Sequence, residues 1–69
     1  MISYKPLFET LKKKQLTTYD LAYKMGFSKS LINNLKHNKS ITINTLEKIC
    51  VALDCKPWEV FEFIEEDKV

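Results

Sequence analysis

Apolar residues recur along the chain at i, i+3, i+4 and i+7, the spacing of one face of an α-helix. Tyr4, Leu7, Phe8 and Leu11 make the first such stripe, Thr18, Leu21, Ala22 and Met25 the second, and Ser28, Leu31, Ile32 and Leu35 the third. Leu46, Ile49, Cys50 and Leu53 make a fourth, and Pro57, Val60, Phe61 and Ile64 repeat the spacing once more. Sustained two-residue alternation is missing. Ser40-Ile41-Thr42-Ile43-Asn44 alternates only briefly and reads as an extended lead into the fourth helix. The pattern predicts an all-α chain with helices at roughly 4–14, 18–25, 28–37, 43–53 and 57–64, then a polar tail at 65–69.

The boundaries of these segments carry their own chemistry. Pro6 falls in the first turn of the first helix, where a missing N–H costs little. Thr17 is placed to cap the second helix, with Asp20 three residues on as its capping-box partner, and Ser28 to cap the third. The fourth is open to capping by Thr42, or by Asn44 with Glu47. Pro57 suits the first turn of a fifth. Gly26, the single glycine, follows Met25 where the second helix should end and a left-handed residue is needed.

With 69 residues, 45% of them hydrophobic and 29% charged, the chain suffices for one small folded domain, expected to span residues 1–69. No apolar run approaches the roughly 18–20 residues that cross a bilayer. Met1-Ile2-Ser3-Tyr4-Lys5 does not lead into an apolar signal region, so the cytoplasm is the expected location. Cys50 and Cys55 lie in or beside an apolar stripe and read as small hydrophobes rather than a disulfide framework. With His37 they make too few ligands for a metal site. One histidine, one glycine and no paired carboxylates in a plausible cleft argue against an enzyme. No metal, cofactor or small-molecule ligand is expected.

Charge changes the picture. Residues 1–40 hold eight lysines against Glu9 and Asp20, a net +6; residues 41–69 hold three lysines against seven acids, a net −4. One half suits a polyanion and the other does not. All eleven basic residues are lysine, which limits the bidentate reading of guanine that arginine performs.

The informative stretch is Thr18 to His37: a short helix, a turn of about three residues around Gly26-Phe27, and a second short helix. Two such helices must cross steeply. Ala22 admits the close approach, and Leu21, Met25, Phe27, Ile32 and Leu35 fill the corner between them. This stretch resembles the lambda repressor/Cro-type helix-turn-helix family, also called the xenobiotic-response-element family. The resemblance rests on Leu21-Ala22, Met25-Gly26-Phe27-Ser28, Ile32 and Leu35 in the family's register. It continues through Thr45–Cys55 and Pro57–Glu62, which look like that family's fourth and fifth helices, so it covers about residues 4–64. It implies a compact five-helix bundle whose third helix enters the major groove of double-stranded DNA.

The residues of that third helix agree. Leu31, Ile32 and Leu35 cluster on one side; Ser30, Asn33 and His37 point the other way, with Lys29 and Lys36 along one edge and Asn34 along the other. No acid lies between Asp20 and Glu47. Lys29, Ser30, Asn33 and Asn34 are the candidate base-reading residues: asparagine pairs with adenine N6 and N7, and lysine donates to guanine O6 and N7. Thr17, Thr18, Ser28, Lys36, His37, Asn38 and Lys39 are the candidate phosphate contacts, as short donors near helix N-termini and a basic loop. The family usually has glutamine where Thr18 stands and often glycine in the loop that here reads His37-Asn38-Lys39; Asn38 is suited to the left-handed conformation glycine would take. Lys12-Lys13-Lys14 serves equally as a flanking DNA contact or as favourable charge at a helix C-terminus.

Trp58, Phe61 and Phe63 cannot all lie on one side of one short helix, which leaves a candidate dimer surface with Phe61 closing the core. The resemblance implies a homodimer on a near-palindromic site, with recognition helices ~34 Å apart. The expected function is a sequence-specific DNA-binding transcriptional regulator, a repressor. The competing reading keeps the fold as a protein-interaction module of antitoxin or anti-repressor type, motivated by the acidic, aromatic C-terminal half.

Overall fold

A computed structural model describes residues 1–65. Strand β1 (Ile2–Ser3) leads into helices α1 (Lys5–Lys13), α2 (Thr18–Tyr23), α3 (Lys29–Lys36) and α4 (Ile43–Leu53). A single 3-10 turn (Pro57–Glu59) and strand β2 (Glu62–Phe63) follow. The helix stripes meet in one cluster: Tyr4, Leu7, Leu11, Leu21, Ile32, Leu35, Ile49, Leu53 and Val60 are all buried. Phe8, Ala22, Met25, Phe27, Leu31, Leu46 and both cysteines pack partly buried around it.

Side chains cap three of the helices. Thr17 and Asp20 form a full capping box on α2, the Thr17 N–H donating to the Asp20 carboxylate at 2.8 Å and the Asp20 N–H to Thr17 Oγ1 at 3.3 Å. Ser28 Oγ accepts the Leu31 N–H at 3.1 Å, and Thr42 Oγ1 accepts that of Thr45 at 3.1 Å. Of the two candidate caps for the fourth helix, Thr42 holds the position. At the C-termini the chain turns through left-handed residues: Gln15 (φ 60°), Asn38 (φ 56°) and Asp54 (φ 53°). In each, the next N–H reaches back five residues, Leu16 to Leu11 at 2.8 Å, Lys39 to Asn34 at 2.9 Å and Cys55 to Cys50 at 3.0 Å.

The helix expected at 57–64 is not there. Helical bonding stops at Phe61, whose N–H reaches Pro57 O at 3.2 Å, and the chain then extends. β2 pairs antiparallel with β1, Ile2 opposite Phe63 and Ser3 opposite Glu62, and the Ile64 N–H continues the ladder to Met1 O at 2.8 Å. Two causes favour the strand. Val60, Phe61, Phe63 and Ile64 are β-branched or aromatic and pack better on a pleated surface than around a helix. The N-terminal segment also offers a row of unpaired backbone groups that a helix would leave unused. The five-helix expectation is thus corrected to four helices and a two-stranded sheet. Helices α1, α2 and α3 also stop one or two residues short of the expected 14, 25 and 37. The segment is tied to α1 by polar bonds as well: buried Thr10 donates its hydroxyl to Glu59 O at 2.7 Å, and the first-turn Leu7 N–H reaches Val60 O at 3.1 Å. The expected tail at 65–69 lies, beyond residue 65, outside the described residues.

The two cysteines are free and half-buried against the core. Burial raises the Cys50 thiol and pushes that of Cys55 up to about 11. Among the described residues, no group of three His, Cys, Asp or Glu side chains is placed to hold a metal, and no helix is long and apolar enough to cross a membrane.

Candidate nucleic-acid interface

Helix α2 ends at Tyr23, and the chain reverses over Lys24–Ser28 before α3. Gly26 has φ +82°, and a Cβ added there would meet nothing within 4 Å, so glycine is needed for its backbone conformation and not for space. The Phe27 N–H closes the turn on Leu21 O at 2.9 Å, and that of Met25 on Asp20 O at 3.0 Å. Buried Leu21, Ile32 and Leu35, with half-buried Ala22, Met25 and Phe27, fill the corner between the helices.

Burial of Ile32 and Leu35 fixes which side of α3 faces outward. Lys29, Ser30, Asn33, Lys36 and His37 are exposed, and Asn34 is half-buried along one edge. The nearest acids along the chain are Asp20 and Glu47; Glu47 is exposed on a cleft it shares with Ser28 and Leu31, whereas Asp20 is already engaged. The Thr17 N–H, more than the Lys24 ammonium at 3.3 Å, holds its carboxyl below the ordinary range. The outward side chains of α3 itself are polar or cationic, and none is acidic.

The candidate phosphate contacts divide by what their polar atoms already do. Thr17 Oγ1 is bound to Asp20, accepting its N–H and donating to its carboxylate at 3.3 Å. Ser28 Oγ accepts at the α3 N-terminus, which leaves its O–H to donate outward. Thr18 is half-buried in the first turn of α2. Lys36, His37 and Lys39 are exposed. Asn38 takes the left-handed conformation and turns its Oδ1 inward to the Tyr4 N–H at 3.1 Å, so its side chain braces the loop.

The same loop is held by a residue that the apolar pattern registered only as core. Tyr4 is fully buried, and its hydroxyl donates to Lys39 O at 2.6 Å. Burial raises its phenol, partly opposed by the Ile41 amide. Tyr4 thereby pins the loop that follows α3 to the start of α1. A buried tyrosine needs a partner for its hydroxyl, and that need was the available signal.

A second unforeseen cluster lies on the outer side of α2. Tyr19 and Tyr23 stand four residues apart with ring centroids 4.5 Å apart, and Lys29 Nζ lies 5.4 Å from the centre of the Tyr23 ring. The i,i+4 spacing of two tyrosines off the apolar stripe was the signal in the sequence. Lys12, Lys13 and Lys14 are exposed at the C-terminal end of α1.

Trp58 and Phe63 are largely exposed, while Phe61 packs on the core and meets Phe63 edge-on at 5.5 Å. The strand explains this: residues two apart share a face when extended, whereas a helix would have turned the two rings apart. Phe63 and exposed Ile43 border an apolar cleft of about 210 Å³ that also touches Ile2, Tyr4 and Leu46.

Two short helices crossing at a glycine turn, the second with a buried stripe and an acid-free outer face, define a helix-turn-helix domain. Residues 7–66 match the model of the Cro/C1-type HTH DNA-binding domain, and the chain belongs to that family. It is 30% identical over 59 residues to an HTH-type transcriptional regulator of Bacillus subtilis (strain 168), YozG, a match covering 83% of this chain and 70% of that protein. Its fold matches the crystal structure of the transcriptional regulator VanUg (Form II) with a TM-score of 0.86 and 28% identity, over 94% of this chain and 87% of that one.

Proposed function

We propose that this member of the family is a sequence-specific regulator that inserts α3 into the major groove of double-stranded DNA. The observation that carries the reading is the outer face of α3, where Lys29, Ser30 and Asn33 stand exposed on a helix that itself carries no acid. Lys29, Ser30, Asn33 and Asn34 read base edges; Thr18, Ser28, Lys36, His37 and Lys39 contact phosphate, with Thr17 and Asn38 contributing mainly by shaping the backbone that does so. Occupying a promoter duplex excludes polymerase, so repression is the proposed outcome. Binding is the whole activity, without catalysis, in the cytoplasm.

The active form on DNA is a homodimer on a near-palindromic site. Exposed Trp58 and Phe63 and the apolar cleft beside Phe63 supply a surface that a second copy would cover, away from α3 in the chain. Selection from random duplexes tests the reading. A two-fold symmetric consensus is expected, with affinity falling steeply as salt rises. A chain that enriches no sequence and instead retains one stoichiometric protein partner would establish the protein-interaction reading in its place.

A further inference from the structure

Lysine is a poor reader of sequence when free, because its ammonium rides on a long flexible stem and offers a point charge without a fixed direction. Lys29 is the first residue of α3 and stands exposed, yet its ammonium is not free: it lies 5.4 Å from the centre of the Tyr23 ring. The Tyr23 hydroxyl, as a neighbouring acceptor, favours the protonated amine. Tyr23 is itself held, by the ring of Tyr19 at 4.5 Å one helical turn earlier. Both tyrosines are more than half exposed, so core packing does not account for them. Tyr19, Tyr23 and Lys29 thus form a chain of contacts that starts on α2 and ends at the leading edge of α3.

We propose that Tyr23 is a positioning residue for base recognition: its ring, steadied by Tyr19, holds the Lys29 ammonium over one place in the major groove. The inference rests on the DNA-reading role of α3 and adds that part of the specificity is set from α2. A lysine so held favours guanine, through O6 and N7, at a single base position. The ring acts on Lys29 by an exposed cation–π contact, so releasing it should reduce discrimination at that position by about two- to fivefold.

The test compares base preferences, from competition against duplexes varied one position at a time, for the intact chain and for Lys29→Ala, Tyr23→Leu, Tyr23→Phe and the Lys29→Ala/Tyr23→Leu pair. Lys29→Ala identifies the dependent position. Tyr23→Leu is expected to relax that same position, and Tyr23→Phe, which keeps the ring and loses only the hydroxyl acceptor, to relax it less. The double variant should be no more relaxed there than Lys29→Ala alone. The salt dependence should be unaltered in both Tyr23 variants, because no charge is lost. A Tyr23→Leu chain that weakens all duplexes equally, or leaves the dependent position unchanged, overturns the positioning role while DNA reading stands. A Lys29→Ala chain that relaxes no position overturns it too. Failure of the intact chain to prefer any sequence overturns the DNA reading itself, and this inference with it.

Discussion

Tyr4→Phe removes one oxygen atom and isolates what the tyrosine pin contributes. The ring keeps its place in the core, where Tyr4 is 0% exposed, and what is lost is the 2.6 Å bond to Lys39 O with the Ile41 amide's contact to the same oxygen. A net hydrogen bond contributes about 0.5–1.5 kcal/mol, and an acceptor left buried and unpaired costs about 1–3 kcal/mol. Lys39 lies in an exposed loop, so water can reach part of its carbonyl, and the lower half of the second range, about 1–2 kcal/mol, applies. In a domain of this size each kcal/mol moves the melting temperature by about 4–8 °C, so a fall of roughly 4–15 °C is expected. The assay is thermal unfolding followed by circular dichroism, with Tyr19→Phe as the control for an exposed hydroxyl. The loosened loop carries His37 and Lys39, so at low temperature, where both chains are folded, Tyr4→Phe should also weaken binding to all duplexes without changing base preference. A Tyr4→Phe chain that melts within a degree or two of the Tyr19→Phe control would refute the pin.

Three other outcomes follow from the geometry. Gln15 is a non-glycine residue in the left-handed region, so Gln15→Gly should stabilise the chain by about 0.5–1 kcal/mol, read as a higher melting temperature. Asn33→Ala should lose about 1–3 kcal/mol of discrimination at one base pair, whereas Lys39→Ala should weaken cognate and random duplexes alike; equal loss on both for Asn33→Ala removes its assigned role. Burial raises Tyr4, Cys50 and Cys55 above their ordinary values of 10.0 for the phenol and 9.0 for the thiols. The folded chain then holds those protons more tightly than the unfolded one, so their contribution is complete below about pH 9 and is lost as pH rises through the folded values. Melting temperatures should fall between about pH 9 and 11, and a Tyr4→Phe, Cys50→Ala, Cys55→Ala chain should show a flatter decline.

What was legible in the sequence was what is local. Thr17 with Asp20, Ser28 and Thr42 each satisfy an amide three residues away, and Gly26 turns the chain within its own span, so spacing alone reveals them. The corner of Leu21, Met25, Phe27, Ile32 and Leu35 follows from two helical periods joined by a short turn. The outward face of α3 follows once Ile32 and Leu35 are assigned inward. The misread segment depends on a distant partner. Pro57, Val60, Phe61 and Ile64 have helical spacing, but Phe63 pairs with Ile2 at the other end of the chain, and no local window contains both. Tyr4 is similar: its periodicity placed it in the core, while its polar work is done with Asn38 and Lys39, more than thirty residues on. The left-handed turns at Gln15 and Asp54 lack the glycine that marks such sites in sequence. The charge division between the two halves was visible from the start, although the folded chain shows that Asp20 is already neutralised within its half.

Titration of ¹⁵N-labelled protein with its selected duplex, followed amide by amide, tests the placement of α3 in the groove most directly. The largest shifts should fall on Lys29, Ser30, Asn33 and Asn34, with smaller ones at Thr18, Ser28 and Lys36–Lys39. Shifts concentrated at Trp58–Phe63, with the α3 amides unmoved, would contradict a DNA-reading third helix.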